Sequence, residues 1–329
     1  CRAILTVGFV LTAAVQSVCA FDLGGRIEAV ARRCDAVSDE SVGGQVTTVR
    51  MLLNCAREAA TGSYTDGLAL VNAAENQCAL LAERGPGDGS YAFEEPGWLG
   101  VANGRLALLF KASDESVELK AVYHAVHDHQ FLRWSIDRRP LWAVTWYKAP
   151  PLDTEADRAQ HWRNRMPLSD GVHNSTAPAL CSFRADAREG EASVELHWLG
   201  KEPVLATKIV CTLPPNSGLS YWRIVVENDS RKGIRDIAFP IIGPIGVRSA
   251  AQRDYLAVPC KQGVLFRNPG VNADLTDMWN DSPFMQYMGY YTDAGSGLYL
   301  SAHNPDRVFK KAIIEAEGGL TKVGFQYPV

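Results

Sequence analysis

The hydrophobic period of this chain changes once, and that change limits what it can fold into. From Gly25 to Gly85 apolar residues recur at helical spacing: Ile27, Val30 and Cys34; Val42, Val46, Val49, Leu53, Ala56 and Ala60; Val71, Ala74, Cys78 and Leu81. Breaks are expected at "SDESVGG" (38–44) and "TGSYTDG" (61–67), and Gly85-Pro86 closes the last helix. Beyond the turn-rich "GPGDGSY" (85–91) the period falls to two. Leu106, Leu108 and Phe110 share one face of "GRLALLFK". Val194, Leu196 and Trp198 share one face of "SVELHWL", opposite Ser193, Glu195 and His197. "SYWRIVVEN" repeats the pattern with Trp222, Ile224 and Val226, and "VLATKIVCTL", "GLYLSAH" and "KVGFQYPV" are further candidate strands.

Many short strands separated by turn signals, with no helices between them, predict a mainly β fold: one large antiparallel β-sandwich preceded by a small α-helical unit. The expected boundaries are a helical unit at 21–85, a linker at 86–92 and the sandwich at 93–329. The helical unit and the sandwich are expected to pack separately.

The first residues, "CRAILTVGFVLTAAVQSVCAFD", carry Arg2, an apolar run from Ala3 to Val15, and small residues at Val18 and Ala20. This is the pattern of a secretory signal peptide over 1–20, cut after Ala20, with a buried N-terminal helix as the other reading. The expected location is therefore secreted or periplasmic, with no membrane span after cleavage, the apolar run being short for one. Because the chain opens on Cys1, it is read as a fragment that has lost its first residues. Six cysteines would remain: Cys34, Cys55, Cys78, Cys181, Cys211 and Cys260. None stands in a CxxC pair, which argues against zinc-ribbon and thioredoxin chemistry and leaves disulfide pairing open. A net charge of −4 with both signs interspersed gives no basic footprint for nucleic acid.

The stretch "YHAVHDHQFLRW" (123–134) places His124, His127 and His129 close together. "ELKAVYHA" reads as a strand and "QFLRW" as the start of the next, so the cluster falls at a hairpin turn. An extended chain would put His127 and His129 on one face and His124 on the other. With no fourth protein ligand nearby, a metal site is not expected.

The C-terminal two thirds carry a more specific pattern. "SGLSYWRIVVENDSRKGIRDIAFPIIGPIG" (217–246) reads as two strands, the second ending in a Phe-Pro step. "DYLAVPCKQGVLFRNPG" (254–270), "MQYMGYYTDAGSGLYLSAHNPDRVFKK" (285–311) and "VANGRLALLFKASDESVELKAVYHAVHDHQFL" (101–132) accompany it. Together these resemble the N-terminal β-sandwich module of a poorly characterised family of exported bacterial glycoside-hydrolase-like proteins. The resemblance covers about residues 100–329 and implies a galactose-mutarotase-like supersandwich followed, beyond Val329, by a catalytic (β/α)-barrel. Where the family hairpin carries an Asp/Lys/Gly-type turn, this chain has His127-Asp128-His129.

On that resemblance the chain is a non-catalytic module that braces the barrel and contacts carbohydrate. The paired carboxylates of glycoside hydrolysis would lie in the barrel, so no catalytic residue is nominated here. Sugar sites combine an aromatic platform with planar polar groups. The expected contacts are Asp277, Trp279 and Asp281 with Tyr290, and then His303, Asp306 and Arg307. No cofactor is expected, although the acids at 274–281 leave a calcium ion open. Two alternatives stand beside this reading. One is a mutarotase-like sugar epimerase using a His/Glu pair, for which His197 and His303 have no clearly matched glutamate. The other is a non-catalytic carbohydrate-binding or structural envelope protein.

Overall fold

The computed structural model describes residues 23–37, 43–84, 89–135, 137–147, 169–188, 190–201, 204–247, 252–259, 263–272, 287–302 and 310–329. Three helices come first: α1 (23–37), α2 (Gly44–Ala59) and α3 (Tyr64–Arg84). The break expected over 61–67 is shorter than the sequence indicates, because α3 already begins at Tyr64. Gly67 sits inside α3, where a β-carbon would come within 3.1 Å of Leu23, so its small size serves close packing of α1 on α3.

The strands that follow are mainly β structure as expected and form four antiparallel sheets. Sheet A runs in sequence order through β1 (Tyr91–Glu95), β2 (Trp98–Ala102), β3 (Leu106–Ser113), β4 (Ser116–His124) and β5 (His129–Gln130). Sheet B contains β6 (Ala143–Tyr147), β7 (Ser169–Asn174), β12 (Ile234–Ile245), β17 (Lys311–Glu317) and β18 (Leu320–Pro328), in the order β17-β18-β12-β6-β7. Sheet C is β11-β10-β9-β8, from β8 (Ala179–Arg188), β9 (Glu191–Gly200), β10 (Leu205–Leu213) and β11 (Tyr221–Asn228). Sheet D is β14-β13-β15-β16, from β13 (Asp254–Val258), β14 (Val264–Arg267), β15 (Tyr287–Thr292) and β16 (Gly297–Ser301). Strand β12 does not stop at Phe239-Pro240. It continues to Ile245 with a shift of register against β18 between Ala238 and Ile241, a place where a residue without an N–H is tolerated.

Alternation explains how these sheets share a core. Val194, Leu196 and Trp198 of β9, Ile209 and Cys211 of β10, Val144 of β6, Leu256 of β13 and Tyr290 of β15 all belong to one buried apolar cluster. Leu106, Leu108 and Phe110 enter the same cluster from sheet A, as their spacing predicts.

Sheet A has a second buried face. Ala107 and Leu109 of β3 and Ala121 and Tyr123 of β4 point the other way, into a cluster with Val46, Leu53, Leu70 and Leu81 of the helices. The helical unit therefore shares a core with sheet A instead of packing by itself. The expectation failed because both faces of β2 and β3 are apolar, and a strand covered on both sides lacks the polar face that marks a sheet edge of a domain. Packing is tight: a β-carbon on Gly44, at the start of α2, would lie 2.5 Å from the Ala102 carbonyl oxygen.

Polar ties cross the same interface. The Asp128 carboxylate accepts hydrogen bonds from Asn54 Nδ2 and from the Tyr123 hydroxyl, each at 2.7 Å. Glu58 accepts from Arg133 Nη1 at 3.1 Å and from the Trp134 backbone N–H at 3.2 Å. Gln77 Nε2 donates to Glu95, and Lys111 pairs with Asp66, both at 2.7 Å. Of the linker, residues 86–88 lie outside the described residues.

Candidate functional site: the tyrosine face of sheet D

Strand β15 reads "YMGYYT", and its alternation splits three tyrosines between two faces. Met288 and Tyr290 point into the core with Leu256 and Val258 of β13 and Leu300 of β16. Tyr287, Gly289 and Tyr291 point outward. Register completes that outer face. Tyr255 pairs with Tyr291 and Arg267, Ala257 pairs with Gly289 and Leu265, Tyr299 pairs with Gly289, and Ser301 pairs with Tyr287.

The outer face thus collects Tyr255, Tyr287, Tyr291 and Tyr299. Tyr291 is 39% exposed and Tyr299 52% exposed, high values for aromatic residues on a sheet. The rings come in two couples. Tyr255 and Tyr291 stack at 5.2 Å with 18° between planes, and Tyr287 and Tyr299 lie 5.3 Å apart at 32°.

Among these side chains is a gap. A β-carbon built on Gly289 would meet nothing within 4 Å, so neither Tyr299, directly across the strand pair, nor Ala257, on the other side, covers it.

Of the expected sugar contacts, Asp277, Trp279, Asp281, His303, Asp306 and Arg307 lie outside the described residues. Tyr290 requires a correction. It is 2% exposed, its hydroxyl donates to Asp254 Oδ2 at 2.8 Å, and its ring meets Phe131 edge-on, so it is a core residue. Burial, followed by the hydrogen bond to Asp254, pushes its phenol well above the usual tyrosine range. Tyr287 opens β15, Ser301 closes β16, and the two residues are paired.

A second polar cluster lies on the outer face of sheet C. His197 Nε2 is 3.6 Å from Glu195 Oε2, and Lys208 Nζ, from the neighbouring strand, is 3.1 Å from the same oxygen. The hydrogen bond from Lys208 holds the Glu195 carboxyl below the ordinary glutamate range. The glutamate that sequence reading did not match to His197 is therefore two residues away on the same face. Each of the three is about two-fifths exposed, on an open strand surface.

The histidine stretch forms a turn, as expected, but with another geometry. Ala125–His127 make a single 3₁₀ turn, and Asp128 adopts the left-handed conformation that closes the hairpin onto His129. Residues three apart eclipse in such a turn, so His124 stacks on His127 with centroids 4.9 Å apart, and His129 turns its ring against Phe131. An extended-chain argument had paired His127 with His129. Burial, then the neighbouring His127 and Arg105, hold His124 below the usual imidazole range. Among the described residues no group of three His, Cys, Asp or Glu side chains is placed to hold a metal ion. Cys34, Cys78, Cys181 and Cys211 carry buried free thiols, and burial raises Cys34 and Cys181 to about 11.

No protein-family model matches this chain, and no curated protein matches it. A solved structure, the alpha-N-acetylgalactosaminidase NagBb from Bifidobacterium bifidum in complex with GalNAc, is similar over 73% of this chain at 11% identity and a TM-score of 0.43. The chain spans about a third of that protein, the likeness covering 32% of it. A likeness that loose carries neither fold nor activity across. Among the described residues no helix is long and apolar enough to cross a membrane.

Proposed function

We propose that this chain is a carbohydrate-binding β-module of an exported glycoside-hydrolase-like protein, with the outer face of sheet D as its sugar-contacting surface. The observation that carries this reading is the set of four outward tyrosines around Gly289. A pyranose has an apolar C–H face and a rim of hydroxyls. Tyrosine offers an apolar ring with a hydroxyl that both donates and accepts, and it loses little side-chain freedom on binding. The sequence resemblance over about residues 100–329 supports the same reading. In it the four sheets are the layers of a mutarotase-like supersandwich that braces a downstream barrel. Asp277, Trp279, Asp281, His303, Asp306 and Arg307 belong to the same proposal as further sugar contacts. Secretion or a periplasmic location belongs to the same proposal.

The test is calorimetric titration of the protein with a panel of glycans, beside the Tyr299→Ala variant. Binding by the parent chain that falls about tenfold or more in the variant is the expected result, a stacked sugar contributing on the scale of one aromatic contact. Turnover is measured separately on aryl glycosides. Hydrolysis by this chain, lost on Asp277→Asn, would move the active site into the β-module.

The contact between His197 and Glu195 favours one second reading, a mutarotase-like epimerase. A base and an acid are what proton transfer at an anomeric hydroxyl requires. It ranks second because the pair stands on an exposed strand face beside Lys208, where water competes with any substrate. Catalysed anomerisation lost on His197→Ala would reverse the order.

A further inference from the structure

We infer that Gly289 is the floor of a subsite for one uncharged pyranose ring, and that this position sets what the tyrosine face accepts. The inference rests on the reading of sheet D as a sugar-contacting face and adds the place and class of the ligand.

Nothing in the backbone calls for glycine at this position. Gly289 lies within β15, paired on both sides with Ala257 and Tyr299, and is not among the glycines with positive φ. Glycine inside a strand weakens it and leaves a gap, and such positions mark where a ligand or another backbone comes close. Among the described residues no other backbone fills this gap, since a β-carbon there meets nothing within 4 Å.

The neighbours fix the size of the gap. Four residues of extended chain set Tyr287 and Tyr291 about 13 Å apart, room for one sugar ring between their side chains. Tyr299 stands opposite with its ring against Tyr287, while the Tyr291 ring stacks on Tyr255. The neighbours also fix the chemistry. The side chains flanking Gly289 along and across the strands are Tyr287, Tyr291, Tyr299 and Ala257, none of them charged. A uronate or sulfated sugar is held by Arg or Lys through charge-assisted pairs, and the arginine this face carries, Arg267, stands on β14, across β13 from β15, paired with Tyr255 and not with Ala257 or Gly289. Phenol hydroxyls suit neutral hydroxyls.

The experiment uses the whole chain and a glycan array carrying neutral hexose oligosaccharides and uronate oligosaccharides of matched length, followed by titration with the best-retained glycan. Gly289→Leu and Gly289→Ala are compared with the parent. Both variants are expected to melt at the parent's temperature or slightly above it, because the added atoms enter open space in an ordinary strand conformation. Binding is expected to fall in the order parent, Ala, Leu, with Leu lowering the association constant at least about tenfold. Retention of neutral glycans, little changed between low and high salt, is the expected class result.

Unchanged binding by Gly289→Leu, with loss in Tyr299→Ala, would overturn the subsite while leaving the tyrosine face in place. Exclusive retention of uronates would overturn the ligand class. Retention of no glycan by the parent chain would overturn the face itself. Should Gly289→Leu fail to fold, the graded Ala variant still decides: unchanged affinity there with a parent-like melting temperature counts against the gap being filled by ligand.

Discussion

Sheets A and D are both antiparallel and both place one face on the same β core, yet they differ in what their second faces meet. Sheet A meets the helices with Ala107, Leu109, Ala121 and Tyr123, all buried. Sheet D turns Tyr291 and Tyr299 toward solvent. A strand buried on both sides tolerates only apolar or fully satisfied polar residues, and "WLGVA" in β2 obeys this along its length. A strand with one free face can carry residues chosen for something other than packing. The comparison teaches that the direction in which the aromatics point matters: Tyr123 of sheet A is buried against the helices, whereas Tyr291 and Tyr299 of sheet D face solvent.

The largest effects should come from sheet A, from either of its faces. Phe110→Ala empties a fully buried position against the β core, and Leu109→Ala does the same against the helices. Truncations of this kind cost about 3–5 and about 2–5 kcal/mol respectively, readable from urea unfolding. A Leu109→Ala effect below about 1 kcal/mol would show the helical unit to be loosely applied and break the comparison.

A middle-sized effect is expected where polar groups tie the helices to that sheet. Asp128→Ala leaves the buried Tyr123 hydroxyl and the Asn54 amide without their shared acceptor, at about 1–3 kcal/mol. The same variant should speed protease cutting in the helical unit. Equal stability with parent-like proteolysis would show the tie to be ornamental.

A smaller effect should appear as a pH dependence. His124 is held below the usual imidazole range, by burial first and then by His127 and Arg105. The unfolded chain, with an imidazole near about 6.5, binds the proton before the folded chain does. Stability contributed by the neutral imidazole is therefore present above that value and is lost as the pH falls toward the depressed folded one. His124→Asn should flatten the loss of stability between about pH 7 and 5 relative to the parent. An unaltered slope would mean the stacked histidine pair is indifferent to charge.

The smallest effects on stability should come from sheet D. Tyr291→Ala and Tyr299→Ala each are expected to change unfolding free energy by no more than about 0.5 kcal/mol, the usual range for surface positions. A cost several times larger would mean these rings hold the sheet together and have no spare surface for a ligand.

Much of the fold was legible because period carries it. The apolar phases of α1 to α3 and the inward faces of β3, β9 and β11 fall where alternation puts them. The union of the helices with sheet A was not legible. Which of two apolar faces meets a helix is a tertiary fact that spacing alone does not encode. Tyr290 was misplaced for a related reason: "YMGYYT" puts aromatics on both faces, so phase alone cannot say which tyrosine is inside. Gly289 was the available signal, because a glycine between two tyrosines on one face marks that face as the unpacked one. His124 and His127 were separated by an extended-chain assumption that fails in a 3₁₀ turn.

The most direct test of the central claim, that the outer face of sheet D binds carbohydrate, is a side-by-side glycan titration. The Tyr291→Ala/Tyr299→Ala double variant is set against Tyr221→Ala, which removes a tyrosine at least as exposed from sheet C. All proteins are checked for parent-like thermal unfolding. The account predicts that the parent chain and Tyr221→Ala bind the same glycan with the same affinity, and that the double variant loses at least about tenfold. Undiminished binding by the double variant, or loss in Tyr221→Ala alone, would contradict it.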